Sequence, residues 1–137
     1  MFETYPERMV AVLRSRQDFD ALGRILARSN WRPLWASSIG EAERLLLSSP
    51  SGVVVCEAEL PDGRWQDLAA RTARQGLHPL IVVASRLADE ELWTAVLTFG
   101  GFDLVAMPFH ERELLGSVAQ AWRQCRANAR REELQVA

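Results

Sequence analysis

Two stretches of the chain, Val53-Val54-Val55-Cys56 and Leu80-Ile81-Val82-Val83-Ala84, are apolar at every position and rich in β-branched residues. An alternating run would suit a strand with one wet face. An unbroken run suits a strand covered on both faces, as in a parallel sheet flanked by helices. The rest of the chain supplies matching pieces. Shorter apolar runs predict strands at Met9 to Leu13, Pro33 to Ala36 and Leu104 to Ala106, and between the five runs lie stretches with helical periodicity. Asp18 to Ser29 places Phe19, Leu22, Ile25 and Leu26 on one side. Ser38, with Glu41 three residues on, predicts a capping box for a helix through Leu47. Trp65 to Gln75 stops at Gly76, and Asp89 to Phe99 stops at Gly100-Gly101. A last helix from His110 carries Leu114, Val118, Ala121, Trp122 and Cys125.

A chain of 137 residues with a hydrophobic fraction of 48% fits one domain. We place it at residues 1–128, followed by a polar extension over 129–137 that either continues the last helix or frays. The net charge of −2, from 16 basic and 18 acidic side chains, provides no field to hold the chain to a polyanion, so nucleic acid is not an expected partner. Arg123, Arg126, Arg130 and Arg131 read as ordinary complements of a helix C-terminus. No apolar run is long enough for a bilayer, and Met1 to Arg8 lacks the order of a signal peptide, so a cytoplasmic chain without membrane contact is expected. Cys56 and Cys125 have neither metal-ligand nor disulfide-framework spacing. His78 and His110 read as solvent-facing. Ser85 has no histidine near it in the inferred order, and no catalytic residue is assigned.

The strand Gly52 to Cys56 ends in Glu57-Ala58-Glu59 and the turn Leu60-Pro61-Asp62-Gly63. Together with Pro79-Leu80-Ile81-Val82-Val83-Ala84-Ser85 and Gly100-Gly101-Phe102-Asp103-Leu104-Val105-Ala106-Met107-Pro108-Phe109, this resembles the receiver domain of two-component response regulators. The resemblance covers nearly the whole chain. It implies a flavodoxin-like, doubly wound five-stranded parallel α/β sheet in the order 2-1-3-4-5.

It also implies a lost switch. Glu57 takes the place of the phosphoacceptor aspartate. The stretch Leu13-Arg14-Ser15-Arg16 replaces the acid pair that holds magnesium, so no magnesium is expected. Ala84 stands at the hydroxyl position, Met107 at the lysine and Leu104 at the aromatic switch residue. The chain looks like a pseudo-receiver: a stand-alone, phosphorylation-independent module acting on a protein partner or on itself. Two alternatives remain, a conventional receiver phosphorylated on Glu57 or on a neighbour such as Glu59 or Asp62, and a small-molecule sensor using the vacated acidic pocket. Glu57 reads either as a fixed mimic of the charged state or as one half of an ion pair, with Arg14 the expected partner and Arg16 or Arg86 the substitutes. A cis bond is expected at Met107-Pro108.

Five tryptophans are many for this length. Aligning the fourth helix on the family places Thr94 and Leu97 inward and Trp93 outward. Trp93, Leu104 and the outer side of the fifth helix then form the expected contact patch on the face of helix four, strand five and helix five. Alternatively, Trp93 only covers the neighbouring helix.

Overall fold

The apolar runs around Val53 and Leu80 lie side by side at the centre of a five-stranded parallel sheet. The computed structural model describes residues 7–136. Its elements are β1 (Glu7–Val12), α1 (Arg16–Leu26), β2 (Trp31–Ala36), α2 (Ile39–Ser48), β3 (Val53–Glu57), β4 (Glu59–Leu60), β5 (Gly63–Arg64), α3 (Trp65–Arg74), β6 (Leu80–Ser85), α4 (Glu90–Thr98), β7 (Asp103–Ala106) and α5 (Glu111–Val136). The sheet order is β2-β1-β3-β6-β7 with parallel pairing throughout. Setting the small β4–β5 hairpin aside, this is the expected order 2-1-3-4-5. Residues 1–6 and Ala137, which belong to the expected domain and extension, lie outside the described residues.

The period-2 alternation of the strands divides one apolar sequence between two cores. Val53 and Val55 face a layer with Met9, Leu13, Leu22, Leu26, Leu114 and Val118, under α1 and α5. Val54 and Cys56 face the opposite layer with Val12, Ile39, Leu46, Trp65, Leu68 and Val96, under α2, α3 and α4. Val53, Val54, Val55 and Cys56 are all fully buried, as their unbroken run requires. β2 is one edge of the sheet, and its Pro33, paired opposite Met9, has no N–H to donate.

Several boundaries differ from the sequence expectation for local reasons. α1 begins at Arg16 rather than Asp18, because the Ser15 hydroxyl accepts the Asp18 N–H at 3.1 Å and serves as N-cap. Ser38 caps α2 by accepting the Glu41 N–H at 3.1 Å. The other half of the expected box is not formed, because the Glu41 carboxylate takes the Ser37 hydroxyl at 2.6 Å. α3 ends before Gly76, whose φ of 76° suits glycine alone. The peptide bond Met107-Pro108 is cis, as expected.

The orientation of α4 corrects the sequence reading. Val96 is fully buried and Leu92 half-buried, whereas Thr94 and Leu97 face outward with Trp93. α5 runs for 26 residues, about 39 Å of helix, so the polar segment continues it as an α-helix. Among the described residues, no helix is long and apolar enough to cross a membrane.

Candidate functional site

β1, β3 and β6 end at the same edge of the sheet, so the residues after each strand meet there. Glu57 closes β3 in register with Ala84 of β6, and the Ala58 N–H reaches the Ala84 carbonyl at 2.8 Å. The half-buried Glu57 carboxylate accepts the backbone N–H of Arg14 at 2.9 Å through Oε1. The expected ion pair is therefore not the one formed. Arg14 is the partner, but through its main chain, and its guanidinium makes no ion pair or hydrogen bond among the described residues. An amide at the end of a neighbouring strand is already fixed in place, whereas a long exposed side chain loses rotamer freedom when held.

Arg86 pairs instead with Asp18. Its guanidinium donates to Oδ1 at 2.8 Å and to Oδ2 at 3.2 Å, tying the first turn of α1 to the loop after β6. The Ser15 hydroxyl donates to the same carboxylate at 3.0 Å. The Arg86 hydrogen bond holds the Asp18 carboxyl below the usual carboxylate range; burial opposes this, and the Ser15 bond adds to the lowering. The bond to Asp18 in turn raises Arg86, with a smaller contribution from the charge of Glu57.

Sequence reading missed this clasp because its ends are 68 residues apart. The available signal was topological: an acid in the first turn after β1 and a cation after β6 both belong at the same edge. The pair joins a largely covered carboxylate to a half-exposed arginine, so it falls between exposed pairs at about 0.2–1 kcal/mol and buried charged hydrogen bonds at about 1.5–3 kcal/mol. Asp18→Asn is expected to lower unfolding free energy by about 1–2 kcal/mol near pH 7. A carboxyl with a lowered folded pKa contributes stability above its unfolded value of about 3.9 and loses it as pH falls through the folded value. Urea titrations across pH should therefore show the wild-type advantage over Asp18→Asn closing in acid.

The remaining positions singled out by the resemblance have other surroundings. Ala84 is fully buried and has no hydroxyl. The neighbouring Ser85 hydroxyl accepts the Leu87 N–H at 3.0 Å and so shapes the following loop. Met107 packs into the core beneath α5, and Leu104 is half-buried against the layer under α4. Asp62 lies in the β4–β5 turn and accepts the N–H groups of Ile39 at 2.8 Å and Gly40 at 3.0 Å, spanning to the start of α2. Burial opposes its ionisation, but the bonds from Gly40 and Ile39 outweigh that, and its carboxyl titrates below the ordinary range. Burial pushes both Cys56 and Cys125 upward, away from thiolate chemistry.

The fold implies a magnesium site, and the residues present do not fit one. The segment after β1 offers Arg14 and Ser15, while the nearest acid on α1, Asp18, is held by a guanidinium. Among the described residues no group of three His, Cys, Asp or Glu side chains is arranged around a common point.

Beside Glu57 a cleft of about 490 Å³ opens between the start of α3 and α4. Ala58, Trp65, Leu92 and Ala95 line it inside, and Arg14, Glu59, Arg64, Arg86 and Glu91 stand around its mouth. Two buried polar atoms on its lining residues, Trp65 Nε1 and Gln66 Oε1, have no hydrogen-bond partner among the described residues.

No family model matches the chain, and no curated protein sequence matches it. Solved structures do. A signal receiver domain from Vibrio parahaemolyticus superposes with a TM-score of 0.83 at 15% identity, covering 90% of this chain and 95% of that one. The non-phosphorylated HemR receiver domain of Leptospira biflexa gives 0.73 at 24% identity, covering 84% and 93%. A CheY-like response regulator receiver domain from Methanospirillum hungatei gives 0.75 at 18% identity, covering 89% and 98%. With Glu57 at the end of the central strand and the cleft at the carboxyl edge of the sheet, the chain thus has the flavodoxin-like fold of response-regulator receiver domains.

Proposed function

We propose that this chain is a non-catalytic, cytoplasmic signalling module of the receiver type, which works without phosphorylation by binding protein through the face of α4, β7 and α5. The observation that carries this reading is how Glu57 and Asp18, the first acid after β1, are engaged. Glu57 accepts a backbone N–H, and Asp18 is clasped by Arg86, so neither is arranged with the other to hold a cation beside an incoming phosphoryl group. Aspartyl-type phosphotransfer needs such a cation against the charge that gathers on the phosphoryl oxygens, and near-attack geometry besides. Asp62, an alternative acceptor, is committed to the start of α2. On the binding side, Trp93 is 40% exposed, Leu97 63% and Phe99 60%, and all three belong to α4 or the residue after it.

The test is intact-mass spectrometry after incubation with acetyl phosphate and magnesium, alongside a competent receiver. The expected mass is unchanged. A phosphoryl adduct on Glu57, Glu59 or Asp62 would instead make the chain a conventional receiver with an unorthodox acceptor.

The cleft favours a second reading, a small-molecule sensor. Its apolar inner wall, rimmed by charged residues at the mouth, has the character of a ligand pocket. Saturable chemical-shift changes at Trp65 and Gln66 on adding a ligand would favour it over the binding module.

A further inference from the structure

The net charge of −2 conceals a separation of charge along the molecule. The parallel strands all start at one edge of the sheet, and the helices between them end there. That edge is rich in arginine. Arg8 and Arg32 start β1 and β2 as register partners on neighbouring strands, Arg24 and Arg28 close the turn of α1, and Arg130 and Arg131 sit where α5 leaves the domain. All six are exposed, and none makes an ion pair among the described residues. The described acids at this edge are few. Glu7 is drawn to Arg126 at 3.3 Å, the Asp103 carboxylate takes the Ser117 hydroxyl at 2.7 Å, and Glu132 and Glu133 remain as opposing charges. The acids gather at the other end, as Glu57, Glu59 and Asp62 around the end of β3 and as Asp89-Glu90-Glu91 opening α4.

Helix dipoles account for only part of this. Arg24 does lie in the last turn of α1. α5, however, runs on to Val136 with no base in its last turn, so Arg123, Arg126, Arg130 and Arg131 are interior to it and do not complement its C-terminus, which corrects the sequence reading. Arg8 and Arg32 stand on strands. A strand of 6 residues, about 20 Å, separates the two ends, more than twice the Debye length of about 8 Å at physiological salt. The basic end therefore presents a field of its own, which the distant acids do not cancel.

Two features select a partner. The arginines are spread over two strands, a helix end and α5, an area that one small anion cannot span and a chain of phosphates can. The chain has no lysine, so every cation in this patch is a planar guanidinium fork of the kind that matches phosphate oxygens. Residues 129–135 of α5 are exposed on every side. Such a bare helix is about 10–12 Å across with its side chains, and the major groove of B-form DNA is about 12 Å wide. From these observations we infer that the edge where the strands begin, with the projecting end of α5, binds double-stranded DNA through its phosphates, without reading sequence. This surface lies at the far end of the molecule from the cleft.

The test is fluorescence anisotropy of a labelled DNA duplex titrated with the protein over a salt series. Wild type should bind in the micromolar range at about 50 mM salt and weaken steeply as salt rises, through counterion release. Arg24→Ala/Arg28→Ala and Arg130→Ala/Arg131→Ala should each bind about tenfold or more weakly at that salt, with a log–log salt slope shallower by about 2. Alanine is the strongest helix former, so neither pair loses binding by losing its helix, and circular dichroism checks this. Arg130→Lys/Arg131→Lys keeps the charge and should keep most of the affinity. A duplex left unbound overturns the inference, as does binding that both alanine pairs leave unchanged. A chain that floats with phosphatidylserine vesicles but ignores the duplex overturns it in favour of a membrane surface. Salt-sensitive self-association without DNA binding does so in favour of the acidic end of a second copy.

Discussion

Trp65→Ala should cost about 3–5 kcal/mol of unfolding free energy, a large share of what a domain of this size has. Trp65 is 1% exposed and fills the layer between α3, α4 and the turn into β7. Removing its ring leaves a cavity that Leu68 and Val96, themselves fully buried, can close only by moving the helices that carry them. Trp65→Phe should cost far less. The indole N–H is buried without a partner, so a phenyl ring removes an unmet donor along with part of the volume. Urea unfolding of the three proteins tests the ranking. If Phe were as costly as Ala, the indole N–H would have a partner in solution that matters.

Gly101→Ala is expected to cost about 1–3 kcal/mol by overpacking the same layer. A Cβ there would come 2.8 Å from Val96 Cγ1 and 3.2 Å from Trp65 Cη2. Val96 cannot swing clear, because a β-branched side chain in a helix has essentially one rotamer. The double variant Val96→Ala/Gly101→Ala should therefore cost less than the sum of the two single variants, since the added methyl occupies space the valine vacates. Strict additivity in urea unfolding would place the strain elsewhere.

The strands were legible because burial on both faces leaves an unbroken apolar run. The β4–β5 hairpin was not, since two strands of two residues each carry no periodicity. α4 was misread for a different reason. Thr94 and Leu97, expected inward, alternate along one short helix with Leu92 and Val96, which the structure buries, so helical spacing alone did not choose between the two faces. The sheet took Val96, leaving Thr94 and Leu97 outside beside Trp93. At the site, the meeting of Arg14 with Glu57 followed from strand adjacency, but a sequence does not say whether main chain or side chain makes the bond. The Asp18–Arg86 clasp depends on where two loops come together, and neither residue belongs to a local pattern.

The sheet's edges limit how this protein can meet others. β2 carries Pro33, which cannot donate to a further strand, and β7 at the opposite edge has only four residues. An extended peptide laid along either side would find an interrupted or very short ladder of main-chain groups. Pairing with a further strand is therefore disfavoured at both edges. This also protects the chain from sheet-to-sheet aggregation, a hazard for a molecule whose central strands are so apolar.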